Sequence, residues 1–258
     1  MRKNIDTEIK NCLKSLHMPT VKEIYKETAE YAATENITHE EYLLILLEKE
    51  SEVRYNNRIG RLLKKSDLDL DKTIDSFNLK RLSPKLNMQV QAIRQGHFLK
   101  NKENILVFGN PGSGKTHLLS AIAQEQIMND GIKIKCTTCS LLVQELLNAK
   151  RELKLYDVLK KYSKYDAILI DDIGYVEQSK EEMEVFFTLI ADRYERASIM
   201  ITSNLAFSKW EKIFKDPVTA TAAIDRLVHH SIIIELNLPS YRVEEAKKRR
   251  NKKNESIK

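Results

Sequence analysis

The sequence predicts an α/β domain built on a parallel sheet, preceded by a small all-α region. Three observations carry that prediction. Five short β-rich runs alternate with helical stretches after residue 104, a glycine-rich turn of fixed spacing follows the first run, and the stretch before residue 66 is helix-patterned and almost free of glycine. Strands joined by crossover helices bury a parallel sheet on both faces.

Residues 1–65 are expected to form a helical N-terminal domain. Glycine is absent until Gly60, proline occurs only at Pro19, and Tyr, Leu and Ile recur at helical spacing. Thr38 and Glu41 have capping-box spacing, in which hydroxyl and carboxylate each satisfy an unpaired main-chain N–H. The helix they open is expected to run through Leu43, Leu46, Leu47, Val53 and Ile59 to Leu63. Arg54, Arg58, Arg61, Lys64 and Lys65 follow its second half, either as phosphate contacts or as a solvated helix face. Residues 66–86, SDLDLDKTIDSFNLKRLSPKL, read as a polar linker. The α/β core is placed at 87–242 and a basic tail at 243–258.

Within the core, the strand candidates are ILVF at 105–108, IKIKC at 132–136, AILI at 167–170, SIMIT at 198–202 and SIIIEL at 231–236. Helical stretches are expected near 115–129, 140–162, 181–196 and 218–229. The composition of the 258 residues, 42% apolar and 31% charged, is that of a globular chain and excludes wholesale disorder. The longest strongly apolar stretches, Ile105–Phe108 and Ile232–Ile234, are too short to cross a bilayer, and residues 1–17 lack the apolar run of a secretory signal. Three cysteines make a disulfide framework unexpected and fit a reducing cytoplasm. The net charge of +6 is concentrated at the end: residues 241–258 hold eight Lys/Arg against three Glu, leaving 35 basic and 34 acidic groups in the first 240. Such a tail either attracts a polyanion or is a solvated terminus.

Chemistry is concentrated where strands end. Gly109, Asn110, Pro111, Gly112, Ser113, Gly114, Lys115 and Thr116 satisfy G-x-x-x-x-G-K-[ST], with a strand before and the helical run beginning His117 behind. Glycines let successive N–H groups converge on phosphates, and the following helix adds the positive end of its dipole. Lys115 suits the β- and γ-phosphates, and Thr116 offers its hydroxyl to Mg²⁺. The run AILI ends in Asp171 and Asp172, 55 residues after Thr116. Asp171 is the candidate Mg²⁺ ligand through water, and Asp172 the group that orients or deprotonates an attacking water. Thr202-Ser203-Asn204 ends the next strand, where the Asn204 amide can hold that water. Arg226 is either a solvated cation at a helix end or a residue that reaches a neighbouring subunit's γ-phosphate.

Together GNPGSGKTHL, AILIDDIGYV, ITSNLAFSKW, DPVTATAAIDRLVHHS and LPSYR resemble the IstB family, the AAA+ ATPases encoded beside the transposase of certain insertion sequences. The N-terminal region and the KTIDSFNL stretch share the resemblance, which covers nearly the whole chain. The sibling family is the DnaC-like helicase loaders. The resemblance implies an AAA+ P-loop ATPase with a five-stranded parallel sheet, no full helical lid and a small all-α N-terminal domain. Gly109–Thr116, with His117 behind it, becomes Walker A and binds ATP. Asp171 and Asp172 become Walker B, with Thr116 and Asp171 on Mg²⁺; Asn204 becomes sensor I, Arg226 the arginine finger and Arg242 sensor II. Most AAA+ relatives outside the family carry Glu at position 172. The shorter Asp retracts the carboxylate by one methylene, so hydrolysis is expected to be slow or to depend on DNA and a partner.

The resemblance also implies a homo-oligomer on duplex DNA that presents target DNA to the transposase of the same element, with no membrane partner. Lys150–Lys164 carries a net +4, and Lys150, Arg151 and Lys154 are nominated as phosphate contacts beside the plainer reading of a solvated face. Two alternatives stay open: a replicative helicase loader, and an ATP-switched DNA-binding protein with negligible hydrolysis. Cys136 and Cys139 form a lone C-x-x-C with no second pair of ligands, so neither zinc nor redox chemistry is expected of them. Trp210, Phe207 and Phe214 are expected to anchor a helix to the core rather than to stack on bases.

Overall fold

The computed structural model describes residues 4–174, 179–205, 210, 224–241 and 243–244. The chain divides into two compact units, residues 1–61 and 62–258.

The N-terminal unit consists of α1 (Ile5–Ser15), α2 (Pro19–Thr34) and most of α3 (His39–Ser66). The capping box before α3 is formed: Thr38 N donates to Glu41 Oε2 at 2.9 Å, and Glu41 N donates to Thr38 Oγ1 at 3.2 Å. Val21, Tyr25 and Leu46 make a small apolar core, with Leu13, Met18, Ile24 and Tyr42 packed around it. Glu50 of α3 is buried and caps α2 from outside. Its carboxylate accepts Thr20 N at 2.9 Å, Val21 N at 3.1 Å and Arg54 Nε at 2.7 Å. Helix starts leave such donors without intrahelical partners, so this side chain fixes one helix to the next.

In the second unit, α4 (Pro84–Arg94) and α5 (His97–Lys100) lead into β1 (Asn104–Gly109), α6 (Lys115–Asp130), β2 (Ile134–Thr138), α7 (Cys139–Arg151), α8 (Leu155–Tyr162), β3 (Ala167–Ile173), α9 (Lys180–Arg193), β4 (Ser198–Ser203) and β5 (Ser231–Leu236). Among the described residues the sheet has five strands, all parallel, in the order β2-β3-β4-β1-β5. β1 therefore lies inside the sheet, and its end carries the glycine-rich turn. Leu106 and Phe108 of β1 join the core formed with α7 and α9, while the alternate residues Ile105 and Val107 are equally buried on the other side. α6 packs against β1, β3 and β4. Asn104 ties the start of the sheet together: its Oδ1 accepts Ile199 N at 2.8 Å, and its Nδ2 donates to Leu227 O at 3.2 Å. Arg193, 2% exposed, donates to the carbonyls of Tyr162, Tyr165 and Ser198 at 3.0–3.1 Å, and burial pushes its guanidinium down to about 10.

Three expectations need adjustment. β2 begins two residues later than IKIKC, because Ile134 is the residue that pairs with Ala167. The single helix expected over 140–162 is two, α7 and α8, separated at Leu153, which has φ 60° and is 94% exposed. Residues 66–86, expected as a polar linker, carry packed side chains: Leu68, Phe77 and Leu82 are buried, and Gln124 Nε2 donates to Asp69 O and Lys72 O at 2.9 and 3.0 Å. Trp210 is fully buried and meets Phe108 edge-on at 5.5 Å, whereas Phe207 and Phe214 lie outside the described residues. The basic tail from residue 245 onward lies outside them too. Among the described residues no helix is long and apolar enough to cross a membrane.

Candidate functional site

The C-terminal ends of β1, β3 and β4 open on one cleft of about 610 Å³. Gly109 closes β1, the turn follows, and α6 starts at Lys115, its first residues Lys115, Thr116 and His117 lining the cleft. Close approach requires glycine in the turn, at Gly112 and Gly114 among others. Gly112 has φ 78°, and a Cβ there would lie 2.2 Å from Ser240 Oγ; Gly114 has φ 102°, and a Cβ would lie 2.9 Å from Phe77 Cε2. Tyr241 N also donates to Gly112 O at 2.9 Å. The turn is thus held between the 66–86 segment and the chain after β5.

Lys115 is only 5% exposed, and its ammonium donates to Gly109 O and Asn110 O at 3.0 Å each and to Asn204 Oδ1 at 2.6 Å. Asn204 turns its other end to Asp172, with Nδ2 donating to Oδ1 at 3.3 Å. The amide therefore links the lysine of the turn to the second carboxylate. Alongside, Asp171 Oδ1 accepts Thr116 Oγ1 at 2.8 Å and Thr202 Oγ1 at 2.5 Å. Lys115, Thr116, Asp171, Asp172 and Asn204, all singled out from the sequence, come together here from three separate strand ends.

The donor set suits a phosphate chain and a hard cation. Among the described residues Ser113 Oγ, in the cleft-lining turn, is buried with no hydrogen-bond partner, an orphaned donor in the cradle. A hydroxyl and a carboxylate oxygen from Thr116 and Asp171 meet at hydrogen-bond distance, the oxygen chemistry Mg²⁺ takes.

Other expected residues lie elsewhere. His117 borders the cleft, but its Nε2 is engaged at 2.9 Å from Thr73 O and 3.1 Å from Ser76 Oγ, and its ring meets Phe77 edge-on. Arg226 is exposed on helical backbone at 224–229 and does not line its own chain's cleft. Arg242 lies outside the described residues. Lys150 pairs with Glu184 at 2.7 Å, Arg151 with Glu181 at 3.9 Å and Lys154 with Glu152 at 2.9 Å. These are exposed surface pairs screened by solvent, so they cost little to exchange for another anion. Burial, with the Asp171 charge adding to it, pushes the Cys136 thiol up to about 11.

Sequence reasoning did not assign the far half of the cleft, lined by Phe77, Asn78, Arg81 and Tyr241. Arg81 donates to Pro239 O at 2.7 Å and to Glu244 Oε1 at 3.3 Å, and lies 5.5 Å over the Tyr241 ring. The signal was present in DSFNLKR and LPSYR, but a polar stretch between helical regions reads as a tether until Phe77 is seen against the turn.

Comparison with known proteins agrees with this geometry. Residues 11–250 match the family described as IstB-like ATP binding protein. An insertion sequence ATP-binding protein of Sinorhizobium fredii is 41% identical over 89% of this chain and 77% of its own length. The IS5376 ATP-binding protein of Geobacillus stearothermophilus is 40% identical over 89% of this chain and 91% of its own. Among solved structures, DnaI aligns with TM-score 0.54 at 20% identity, covering 63% of this chain and 89% of that one. The DnaC helicase loader aligns with TM-score 0.54 at 17% identity, covering 64% and 96%. At those identities the structures establish a shared AAA+ P-loop fold.

Proposed function

This chain belongs to the IstB-like ATP binding protein family, and from that premise we propose that it is a Mg²⁺-dependent ATPase that assembles on duplex DNA to assist transposition. The observation that carries the reading is the convergence of Lys115, Thr116, Asp171, Asp172 and Asn204 on one cleft beside an orphaned Ser113 hydroxyl. The N–H groups of the turn and the Lys115 ammonium hold the phosphates. Thr116 and Asp171 hold Mg²⁺, which when bound neutralises charge on the phosphoryl group. Asp172 accepts a proton from water, and Asn204 keeps that carboxylate and Lys115 in fixed relation.

The Lys115 bonds to Gly109 O, Asn110 O and Asn204 are those a phosphate oxygen replaces. Arg226, exposed and away from its own cleft, supplies its guanidinium to the cleft of a neighbouring copy, and Arg242 follows the cleft-lining Tyr241 in sequence. Nucleotide therefore joins protomers. Lys150, Arg151, Lys154 and the basic tail contact DNA phosphates without reading sequence. The transposase of the same element takes the DNA so held, in the cytoplasm.

The test is sedimentation of the purified chain with Mg²⁺, a non-hydrolysable ATP analogue and a duplex fragment. An oligomer that forms on DNA only with nucleotide is expected; a monomer that ignores the duplex overturns the reading. Arg226→Ala is expected to leave analogue binding within about threefold while lowering phosphate release by roughly 10³-fold. Equal losses in both remove its role in trans. Capture of the element's transposase, rather than of a replicative helicase, separates transposition from helicase loading.

A further inference from the structure

Thr202 stands opposite two residues. β3 and β4 pair in step from Ala167 with Ser198 to Ile170 with Ile201, then resume at Ile173 with Ser203. Asp171 and Asp172 together therefore face the single residue Thr202, which is the arrangement of a β-bulge. Asp172 takes φ 58°, in the left-handed region that Asp tolerates better than most residues. Consecutive side chains of a regular strand go to opposite faces of the sheet. Here both carboxylates line the same cleft.

A bulge leaves a main-chain N–H out of the ladder, and the Thr202 hydroxyl takes it. Asp172 N donates to Thr202 Oγ1 at 2.9 Å, and the same hydroxyl donates to Asp171 Oδ1 at 2.5 Å. A hydroxyl has one proton to give and lone pairs that accept. Both uses go to two consecutive residues of the cleft. Thr202 is fully buried, so solvent has no ready access to replace it.

We propose that Thr202 is a positioning residue of the ATPase site. It holds the bulge that aims Asp171 and Asp172 into one cleft and so fixes the separation between the Mg²⁺-binding and the water-orienting carboxylates. This rests on the ATPase reading above. Thr202→Val keeps the shape and loses both hydrogen bonds; Thr202→Ser keeps both and loses only a methyl group.

The experiment uses the full chain and measures affinity for a fluorescent ATP analogue with Mg²⁺ and with EDTA, together with kcat and KM for ATP across a Mg²⁺ titration. Thr202→Val is expected to bind metal-free analogue within about threefold of wild type. Its kcat is expected to fall roughly 10- to 100-fold at little-changed KM, with a higher Mg²⁺ requirement, the scale of a lost hydrogen bond to a charged group. Thr202→Ser is expected within about threefold of wild type throughout. Wild-type kcat and Mg²⁺ dependence in Thr202→Val overturns the proposal, as does a Thr202→Ser variant as impaired as Thr202→Val. Should circular dichroism show Thr202→Val unfolded, Thr202→Cys, of similar size and a weaker donor, is expected between serine and complete loss, and wild-type behaviour there overturns the assignment. If the wild type binds Mg·nucleotide without turnover, the hydrolysis reading fails by itself. The Mg²⁺-dependent part of binding then reports on Thr202: its loss in the valine variant supports the proposal, and its retention refutes it.

Discussion

The N-terminal unit and the α/β unit are held together in different ways. In the first, three helices share a core of Val21, Tyr25 and Leu46, and much of their mutual fixing is polar: Glu50 on the start of α2, and Asp6 of α1 taking Lys26 of α2 at 2.8 Å. In the second, whole strands are buried, with Ile105, Leu106 and Val107 at 0% exposure in β1 and Ala167–Ile170 likewise in β3. A unit closed by a few directed bonds depends on single residues and on pH, whereas a sheet covered on both faces spreads its stability over many apolar contacts. The cleft follows from the second design. Its residues stand on strand ends that the core holds still, so the polar groups there are free to serve chemistry.

The sharpest way to break this comparison is to remove chemistry while leaving the core alone. Lys115→Ala is expected to abolish nucleotide-dependent assembly in light scattering with the melting of both units unchanged. An unaltered oligomer would mean that assembly does not pass through the cleft.

Leu106→Ala, in the centre of the sheet, is expected to cost about 2–5 kcal/mol of unfolding free energy and to weaken nucleotide binding as β1 loosens, read by denaturant titration with bound fluorescent analogue. Leu46→Ala removes a comparable side chain from the smaller core. Its expected cost is near the bottom of that range, with nucleotide affinity within about twofold of wild type. Parallel loss of nucleotide binding in Leu46→Ala would show that the two units unfold as one.

The smallest effect expected is in acid. The side chains of Lys26, Tyr25 and Lys10 hold the Asp6 carboxyl well below its ordinary range. Burial pushes Glu50 up, but Arg54 and the N–H groups of Val21 and Thr20 outweigh it, and the net direction is down. A carboxylate with a depressed folded value stabilises the fold above its unfolded value and loses that contribution as pH falls through the folded one. Amide-exchange protection in α2 and α3, taken relative to the intrinsic rate at each pH, is therefore expected to fall as pH drops below about 4, with a shallower fall in Glu50→Gln. Identical slopes in the two proteins would remove Glu50 from the account.

Much of the molecule was legible in the chain because it is written in local terms. The capping box at Thr38, the glycine turn at 109–114 and the acid pair ending β3 each specify backbone or chemistry within a few residues. Other features depend on partners far along the chain. The pattern IKIKC fits more than one pairing, and the contact with Ala167 selects Ile134 as the first residue of β2. The apolar run through 140–162 gives no sign of the left-handed Leu153 that divides it. Leu68, Phe77 and Leu82 are too irregularly spaced to mark a packed segment until the folded chain buries them, Phe77 against Gly114 and His117.

By itself the sequence determined the phosphate-holding turn, the strands and the acids at their ends, because steric preference and hydrophobic alternation act over a handful of residues. Tertiary structure alone decided that Asp171 and Asp172 face the same way. That outcome needs Thr202, about thirty positions further on, to come opposite them in the sheet, and no local preference encodes a pairing made across a crossover helix.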